Sequence, residues 1–510
     1  DKELADALAS PVQVVPGQAP PNGCIDATIG GFFCAYLKGY LVNTLGLTNQ
    51  QINNGGLTIQ TSLRPDMQAA GDQAVLNTLP MGDSLAGIYT VVEPGTGHVL
   101  AMSVNRRYGC DQPDCESVVL NTAASQGSGS TYKVFTAAAA LEQGYSQFYT
   151  LTTGNHYTSR VYKKFGGTVG TPYSIENAGN YPGTLDMVKA LYMSSNTYFV
   201  GLEDALGSVE GPVRMAQRMG LHSIDPIADQ IIAQRRGSFT LGPEPTSPLD
   251  LASAYSTLAA GGTQCDPTPV VQVLDRSGKP LTGDDGKPVV NGDNCHPNAI
   301  PAGVATTLNQ ILRKDVEPGN NGQTARRAYV PGHQIAGKTG TSQSNFSAAF
   351  VGYTPEYTAS VMVLNPKRNE NVGGFGGNKP ATIWHDAMAP ILDAAPTKDF
   401  PPADAVVANG NTRVVPSCFS ITRCRSALSA AGFRYTTDSV DSDEDEGTFV
   451  GLSPRAGSRA TQNQTITILV SNGSGSAPVQ DGNGNGDNGN GDGGGNGNGN
   501  GDGNGDNGDG

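Results

Sequence analysis

The chain has 510 residues, of which 37% are hydrophobic and 68 are glycines, and its formal net charge is −14 at pH 7. This length is sufficient for more than one domain, and the acidic balance excludes a basic nucleic-acid-binding surface. Twelve acidic residues lie in two stretches, Asp438–Glu446 and 474–510, so the rest of the chain is nearly neutral.

The first third combines short helical and strand patterns. Residues 1–23 are helix-like and then rich in proline, whereas Leu57–Leu63 alternates as a strand does. Asp66–Leu79 has helical periodicity. Gly87–Val104 contains two β-rich runs joined at Glu93–Gly97, whose Pro-Gly pair indicates a hairpin.

The middle of the chain is predicted to be mostly helical. Within 151–260, the clearest apolar helical patterns are Leu185–Leu202 and Pro248–Ala260. Residues 265–300 form a polar excursion between two cysteines, and Pro301–Leu312 is helical again.

Strands return after this point. Residues 334–364 are β-like, Ile383–Met388 opens a last helix, and Phe400–Pro402 marks a domain boundary. A small βαβ-like unit is predicted at 412–473. The tail at 474–510 consists almost entirely of Gly, Asn and Asp, so we expect it to be disordered because it cannot form a core.

The eight cysteines fall into four pairs of close neighbours: Cys24/Cys34, Cys110/Cys115, Cys265/Cys295 and Cys418/Cys424. None forms Cys-x-x-Cys, and no histidine stands at zinc-ligand spacing, so we predict local disulfides in an oxidising compartment and no metal site. Spacing alone leaves the connectivity open. The residues given include no signal peptide and no apolar run of about 18 residues, and they begin inside a helix-like piece, as expected of a fragment.

The stretch Gln126–Leu141 joins a glycine-rich turn to an alanine-rich helix. Ser130 stands where an N-cap or first-turn residue belongs, and considered alone it is an ordinary cap. Lys133 follows three residues later and therefore lies on the same helix face. A serine hydroxyl becomes a good nucleophile beside a base, and Lys133 can be that base if burial or a neighbouring cation lowers its pKa.

Two distant stretches could complete such a site. Ser194-Ser-Asn196 lies at a predicted turn between helical segments, and Lys338–Thr341 lies on a predicted strand. Each stretch also has a purely structural interpretation: Ser194 and Asn196 could simply form a turn, and Lys338 could be a surface lysine on a strand. Together, however, they follow the order Ser-x-x-Lys, Ser-x-Asn, Lys-Thr-Gly, which is the motif set of penicillin-binding proteins and class A β-lactamases.

The same lysine belongs to a competing match. Gly332–Thr339 fits the P-loop pattern G-x-x-x-x-G-K-T. A P-loop requires a helix that opens at the Lys-Thr pair, whereas Gly340 and two strand-like runs follow here. The cysteine pattern also argues against a cytosolic ATPase, so we favour the Lys-Thr-Gly interpretation.

With these motifs in order, roughly 55–390 resembles the transpeptidase part of class A penicillin-binding proteins. The likeness is carried by Gly56–Leu63, Gly97–Met102, Gly129–Lys133, Ser194–Thr197, Ser247–Tyr255, Gly337–Thr341, Phe350–Pro355 and Ile383-Trp384. The resemblance implies an α+β fold, with a five-stranded antiparallel sheet flanked by helices and an all-helical subdomain. Residues 67–398 would form this domain, and 1–66 would be the linker after a missing glycosyltransferase domain.

Residues 412–473 resemble a PASTA domain of βαβ type. This likeness rests on Val415-Pro416, Ala427–Phe433, Gly451–Gly457 and Thr465–Ser471, while Cys418 and Cys424 depart from the commonest pattern. Such a unit implies contacts with cell-wall or cell-division proteins. The cysteine-bearing extracellular architecture points to an actinobacterial source.

The resemblance implies a serine-type D-Ala-D-Ala transpeptidase that cross-links peptidoglycan stem peptides. Ser130 would attack the donor carbonyl and release D-Ala, with Lys133 as the general base. Ser194 would pass a proton to the leaving amine, and Asn196 would hold the donor amide and tether Lys133. The nearby cation of Lys338 would keep Lys133 neutral.

The strand motif would bind the donor's C-terminus. Lys338, with the hydroxyls of Thr339 and Thr341, would attract the terminal carboxylate. Gly340 would leave room for the substrate backbone along the strand. The backbone N–H groups of Ser130 and Thr341 would form the oxyanion hole.

The implied partners are stem peptides and strands derived from lipid-linked precursors, with β-lactams as covalent inhibitors and no cofactor, metal or nucleic acid. The full-length protein would be extracytoplasmic, in the cell envelope, and anchored through an N-terminal segment absent here. Two alternatives share the motifs. A β-lactam hydrolase would need a Glu-x-x-Leu-Asn loop, but Glu244 is flanked by prolines; a β-lactam sensor would need a signalling domain, and none is visible.

Overall fold

The computed structural model describes residues 2, 23–461 and 465–474 of the chain. The helix-like, proline-rich piece predicted at 1–23 and the disordered tail predicted at 474–510 lie almost entirely outside the described residues.

The described α-helices are α1 (Gly31–Asn43), α2 (Asn49–Asn54), α3 (Pro65–Thr78), α4 (Lys133–Glu142), α5 (Met187–Tyr192), α6 (Asn196–Leu206), α7 (Glu210–Arg218), α8 (Ala228–Ala233), α9 (Pro248–Ala259), α10 (Ala302–Val316), α11 (Lys379–Asp393), α12 (Ala405–Asn409) and α13 (Ile421–Ala430). Short 3-10 turns occur at Gly23–Asp26, Gly129–Tyr132, His222–Ile227, Phe239–Leu241, Arg326–Ala328 and Gln343–Asn345.

The described strands are β1 (Thr58–Thr61), β2 (Ala86–Val92), β3 (Val99–Val104), β4 (Arg107–Tyr108), β5 (Cys115–Glu116), β6 (Thr150–Thr152), β7 (His156–Lys163), β8 (Pro172–Glu176), β9 (Thr184–Asp186), β10 (Gln264–Cys265), β11 (Val270–Leu274), β12 (Cys295–His296), β13 (Ala336–Thr341), β14 (Ser347–Tyr353), β15 (Thr358–Leu364), β16 (Thr412–Val414), β17 (Arg434–Val440), β18 (Phe449–Ser453), β19 (Arg459–Thr461) and β20 (Thr465–Ser471).

A five-stranded antiparallel sheet forms the centre of the main body, with strand order β13-β14-β15-β2-β3. The predicted hairpin is the pair β2–β3, and the β-like region after residue 334 supplies the other three strands. The sheet is covered on both faces, because every residue of β2, β14 and β15 is buried. These strands are accordingly rich in Val, Ala and aromatic residues rather than alternating with polar ones. The predicted sheet is confirmed.

The two faces of the sheet pack against different helices. On one face, α3 and α11 cover a core that contains Trp384, whose indole N–H donates to the Gly352 carbonyl at 3.0 Å and whose ring meets Phe350 edge-on. On the other face, α9 packs against β2 and β15 and joins the sheet to a lobe built around α4. Helix α11 begins at Lys379, four residues before the predicted start.

The lobe around α4 contains β-ribbons as well as helices, so the predictions of an all-helical subdomain and of a mostly helical 151–260 segment are wrong between residues 150 and 186. There, β6 pairs with β9 and β7 pairs with β8. The segment is polar, and its Thr, Val and Tyr residues alternate between a solvent side and a side that packs against α6. Such a half-exposed ribbon has a weak apolar periodicity, which explains why the sequence pattern predicted helix where the structure has strands.

Residues 412–474 form a separate small unit with its own core of Val415, Leu428, Ile466, Ile468 and neighbouring apolar side chains. Helix α13 packs against β17 and β20, which run parallel, while β18 pairs with β20 in the antiparallel sense. The predicted combination of parallel strands and one helix is therefore present, although β18 and β19 add further antiparallel pairs.

All four predicted local disulfides are formed: Cys24–Cys34, Cys110–Cys115, Cys265–Cys295 and Cys418–Cys424. Within the described residues, no group of three or more His, Cys, Asp or Glu side chains could hold a metal ion. None of the helices in this part of the chain is long and apolar enough to cross a membrane.

A charged cluster lies beside the Cys265–Cys295 disulfide. The ring of His222 contacts Asp225 at 2.8 Å and Asp266 at 3.2 Å, and His296 lies 3.6 Å from Asp266. The hydrogen bond to Asp266, aided by Asp225, raises the pKa of His222 to about 9 against the opposing effect of burial.

We expect this cluster to stabilise the fold most between about pH 4 and pH 6.5, because its contribution from Asp266 is lost as pH falls below the ordinary pKa of 3.8 of that carboxyl towards its folded-state pKa of about 2. Because the folded-state pKa of His222 lies above its ordinary 6.5, its contribution is complete below about pH 6.5 and disappears as pH rises to about 9. The side chain is 45% exposed, so solvent screening limits the effect to about 1 kcal/mol. Urea titrations of wild type and His222→Gln should differ at pH 6 and converge by pH 9.5. His156→Gln, whose ring has no described partner, is the control, and a pH-independent difference for His222→Gln would contradict the assignment.

Candidate active site

Ser130 lies in the 3-10 turn Gly129–Tyr132, which leads directly into α4 at Lys133. No side chain caps either the turn or α4, so the capping interpretation of Ser130 is not supported. The Ser130 hydroxyl is half-buried and makes no hydrogen bond to another described residue. The side chains of α4 from Lys133 to Leu141 are buried, which makes the helix a rigid base for the turn.

The predicted turn at Ser194-Ser-Asn196 separates α5 from α6. Ser194 has the left-handed φ of 59°, which ends the apolar helical pattern that runs through this region. Asn177, which the sequence reading missed, holds the turn: its Oδ1 accepts from the N–H of Asn196 at 2.7 Å and from the Ser195 hydroxyl at 3.1 Å. A lone asparagine in a polar ribbon carries no signal that would have indicated this contact.

The third predicted stretch forms β13, the edge strand of the sheet. Along it, Lys338 and Gly340 face one side and Thr339 and Thr341 the other. The Ser342 N–H donates to the Ser347 carbonyl oxygen on the neighbouring chain segment. In an antiparallel pair, the N–H groups of successive residues point alternately towards the partner strand and away from it. The Thr341 N–H therefore points away from β14, towards the open edge of the sheet.

The structure brings the three stretches together at Ser194. Lys133 Nζ lies 2.6 Å from the Ser194 carbonyl oxygen and 3.3 Å from its Oγ, and 2.7 Å from Asn196 Oδ1. Lys338 Nζ donates to the same Ser194 Oγ at 2.9 Å. It also donates to the backbone carbonyl oxygen of Thr339, the next residue along β13, at 3.0 Å. Ser194 therefore stands between two lysines that come from a helix and a strand.

Both lysines are fully buried, and this burial determines their protonation. Burial foremost, and the charge of Lys338 second, lower the pKa of Lys133 well below its usual range. Burial also lowers the pKa of Lys338 to about 8, an effect that Asp315 opposes. A neutral Lys133 donates its two protons to Ser194 and Asn196, and its lone pair is then available to accept a proton from a hydroxyl.

Asp315 is a second residue that the sequence reading missed. Its buried carboxylate accepts hydrogen bonds from the backbone N–H of Thr324 at 2.6 Å and from the Thr324 hydroxyl at 2.9 Å. That hydroxyl also bonds to the hydroxyl of Thr339. The sequence did contain a signal for this residue. Asp315 lies seven residues after Leu308, on the apolar face of α10, and a charged side chain on such a face must have a buried partner.

Both hydroxyls of the strand motif contact protein groups. Thr339 bonds to Thr324, and Thr341 Oγ1 accepts from the N–H of Gly376 at 3.2 Å. The competing P-loop interpretation is excluded by the same strand, because β13 continues through Thr341 and leads by a 3-10 turn into β14, with no helix at Lys338.

Glycines allow the Ser130 turn to pack backbone to backbone against β13. A Cβ atom added to Gly340 would lie 1.9 Å from the carbonyl oxygen of Ser128, and one added to Gly129 would lie 2.4 Å from that of Thr341. Gly129 also has φ of 63°, which favours glycine. The turn that carries Ser130 thus fills the space at Gly340, so this glycine is required by packing, whereas the prediction was that it leaves room for substrate.

Residues 87–389 match the family model described as the penicillin-binding protein transpeptidase domain, and residues 420–472 match that of the PASTA domain. Penicillin-binding protein 1A of Mycobacterium tuberculosis is 28% identical over 411 residues, which cover 75% of this chain and 44% of that protein. Penicillin-binding protein 2D of Bacillus subtilis is 25% identical over 372 residues, which cover 72% and 50%. The chain spans about half the length of these curated relatives.

Solved structures share the fold. The penicillin-binding protein PonA1 from Mycobacterium tuberculosis superimposes with a TM-score of 0.61 at 27% identity, covering 77% of this chain and 97% of that chain. The PonA1 protein in complex with penicillin V superimposes with a TM-score of 0.62 at 26% identity, covering 76% and 98%.

We expect Gly340→Ala to disturb the site through packing alone. The added methyl group would overlap the Ser128 carbonyl, so the turn that carries Ser130 must move and the fold should lose about 1–3 kcal/mol. The matched control is Gly183→Ala, because a Cβ atom there meets nothing within 4 Å. Calorimetric unfolding of the two variants should separate them clearly, and equal stabilities would argue against the close contact.

Proposed function

The chain belongs to the penicillin-binding protein transpeptidase family, and on that basis we propose that it is a peptidoglycan D,D-transpeptidase with Ser130 as its nucleophile. The observation that carries this proposal is the buried Lys133, held between Ser194 and Asn196 one helical turn after Ser130, where burial lowers its pKa well below the usual range. Such a lysine is a base that operates at neutral pH without a histidine.

In the first half-reaction, Ser130 Oγ attacks the carbonyl between the two D-Ala residues of a donor stem peptide. The hydroxyl proton moves to the Lys133 amine as the Oγ–C bond forms. When the C–N bond breaks, Ser194 passes a proton from Lys133 to the leaving amine, and D-Ala departs. The contact of 3.3 Å between Lys133 Nζ and Ser194 Oγ supports this proton route.

In the second half-reaction, an amine of a neighbouring stem attacks the acyl-enzyme. The Oγ–C bond breaks, a proton returns to Ser130, and the new amide bond is the cross-link. The backbone N–H groups of Ser130 and Thr341 stabilise the oxyanion in both steps, in agreement with the outward direction of the Thr341 N–H.

Lys338 attracts the donor's terminal carboxylate and Asn196 holds the donor amide. The buried carboxylate of Asp315 helps Lys338 to keep its proton. The Thr339 hydroxyl already bonds to Thr324, whereas the Thr341 hydroxyl accepts from the Gly376 N–H and keeps its own proton free to donate to the carboxylate.

A β-lactam acylates Ser130 in the same way as the donor, and PonA1 in complex with penicillin V is a similar protein that binds such a ligand. The hydrolase alternative is less well supported. A hydrolase needs an acid that activates the deacylating water, and Glu244 is the candidate considered from the sequence. Its side chain is 8% exposed and forms an ion pair with Arg236 at 3.0 Å, so it is not poised to activate water.

We assign residues 67–398 to the transpeptidase domain and 412–473 to a PASTA domain, with 1–66 as the linker that follows a glycosyltransferase domain in the longer protein. The separate core of residues 412–474 supports this division. The whole protein would then be held at the outer face of the cell membrane by an N-terminal anchor, where the four disulfides are stable and where PASTA contacts cell-wall or cell-division proteins.

Covalent labelling tests the nucleophile. A fluorescent penicillin should attach to the wild-type chain at Ser130, and Ser130→Ala should lose all labelling because the proposed nucleophile is removed. Ser174→Ala, which removes an exposed hydroxyl on β8, should label normally. Peptide mapping by mass spectrometry identifies the modified residue, and an adduct at any other serine would refute the assignment.

The pH profile of acylation tests Lys338. Because its pKa is about 8, it loses its charge above that pH, and the second-order acylation rate for a penicillin with a free carboxylate should fall as pH rises from 7.5 to 9.5. The methyl ester of the same penicillin has no carboxylate to attract, so its slower rate should lack this decline. Stopped-flow measurement of both compounds checks the expectation, and an identical decline for the ester would assign the titration to another group.

A further inference from the structure

An open polar cleft borders the candidate active site at Asn196. It has a volume of about 440 Å³, within the size range of small-ligand sites, and lies between the ends of β7 and β8 and the loop that follows β8. Its lining includes Asn155, His156, Glu176, Asn177 and Asn180.

A continuous line of contacts connects this cleft to β13. Lys338 contacts Ser194, Ser194 contacts Lys133, and Lys133 contacts Asn196. The Asn196 side-chain amide then donates to the backbone carbonyl of Glu176 at 2.9 Å. The cleft is therefore at the opposite end of this line from Lys338.

The polar groups around the cleft differ in whether they have partners. The amides of Asn155, Asn177 and Asn180 hydrogen-bond to one another or to the Ser194–Asn196 turn. The carboxylate of Glu176 and the ring of His156 are exposed and have no hydrogen-bond or ion-pair partner among the described residues. They stand opposite each other in the β7–β8 pairing, so their side chains share one face of the ribbon.

We propose that this cleft binds the acyl side of the donor peptide and that Glu176 recognises an ammonium group on it. This inference rests on the proposed function. If the donor's carboxylate is at Lys338 and its reacting carbonyl at Ser130, the remaining, N-terminal part of the donor must leave the site past Asn196. There it meets an amide-rich wall suited to a peptide and one unpaired carboxylate, whose complement is a cationic amine. Glu176 is thus a specificity-determining residue for donors whose side chain ends in an amine.

The test compares two penicillins that differ only at the end of the acyl side chain, which is a primary amine in one and its N-acetyl derivative in the other. The second-order acylation rate of Ser130 is measured for wild type, Glu176→Gln and Glu210→Gln. Glu210 is the matched control, because it is also exposed but lies at the start of α7, outside the cleft. Glu176→Gln keeps the backbone carbonyl that holds Asn196.

Wild type and Glu210→Gln should acylate two- to fivefold faster with the amine than with its N-acetyl form, as expected for an exposed ion pair, and 0.5 M salt should reduce this preference. Glu176→Gln should have no preference, because the rate for the amine should fall to that for the N-acetyl probe. Equal rates for both probes in wild type, or a preference retained by Glu176→Gln, would overturn the inference. Failure of both probes to acylate Ser130 would instead refute the proposed transpeptidase.

Discussion

The structure depends on a backbone-to-backbone contact between the Ser130 turn and the edge strand β13. Gly340 meets the Ser128 carbonyl and Gly129 meets Thr341, at separations that leave no room for a Cβ atom on either glycine. Because the turn begins α4 and β13 belongs to the central sheet, this contact holds the start of α4 directly against the edge of the sheet. Both lysines of the site are attached to it, Lys133 on α4 and Lys338 on β13.

The electrostatics of the site follow from that distance. Two buried lysines share Ser194, and two like charges so close in a medium of low polarity cannot both be retained at little cost. The structure resolves the conflict asymmetrically. Lys338 has the buried carboxylate of Asp315 nearby and keeps a pKa of about 8, whereas Lys133 has only neutral oxygen acceptors and its pKa is lowered well below its usual range. This asymmetry fits the proposed roles of Lys338 as a cation and Lys133 as a base.

Most of the fold was predictable where the chain carries strong local patterns. The β2–β3 hairpin has a Pro-Gly turn between two apolar runs, and α9 has the apolar spacing of a buried helix, so both were predicted within a few residues. The ribbons between residues 150 and 186 were not, because only one side of each ribbon is buried, where it packs against α6, and the apolar pattern is correspondingly weak. The same limit applies to the break at Ser194, where turn residues were visible but the contact with Asn177 was not.

The sequence by itself determined the identity and order of the three motifs, and it predicted the local cysteine pairs and the apolar strands of the sheet, because each motif, pair and strand consists of residues close together in the chain. Only the tertiary structure decided the protonation of Lys133, the buried partner of Lys338, the packing reason for Gly340 and the cleft beside Asn196. Each of these arises where distant segments exclude water from one another. Desolvation depends on distances in space, and so do the contact of two backbones and the contact of an asparagine with a turn 17 residues away. These distances cannot be read from the order of residues along the chain.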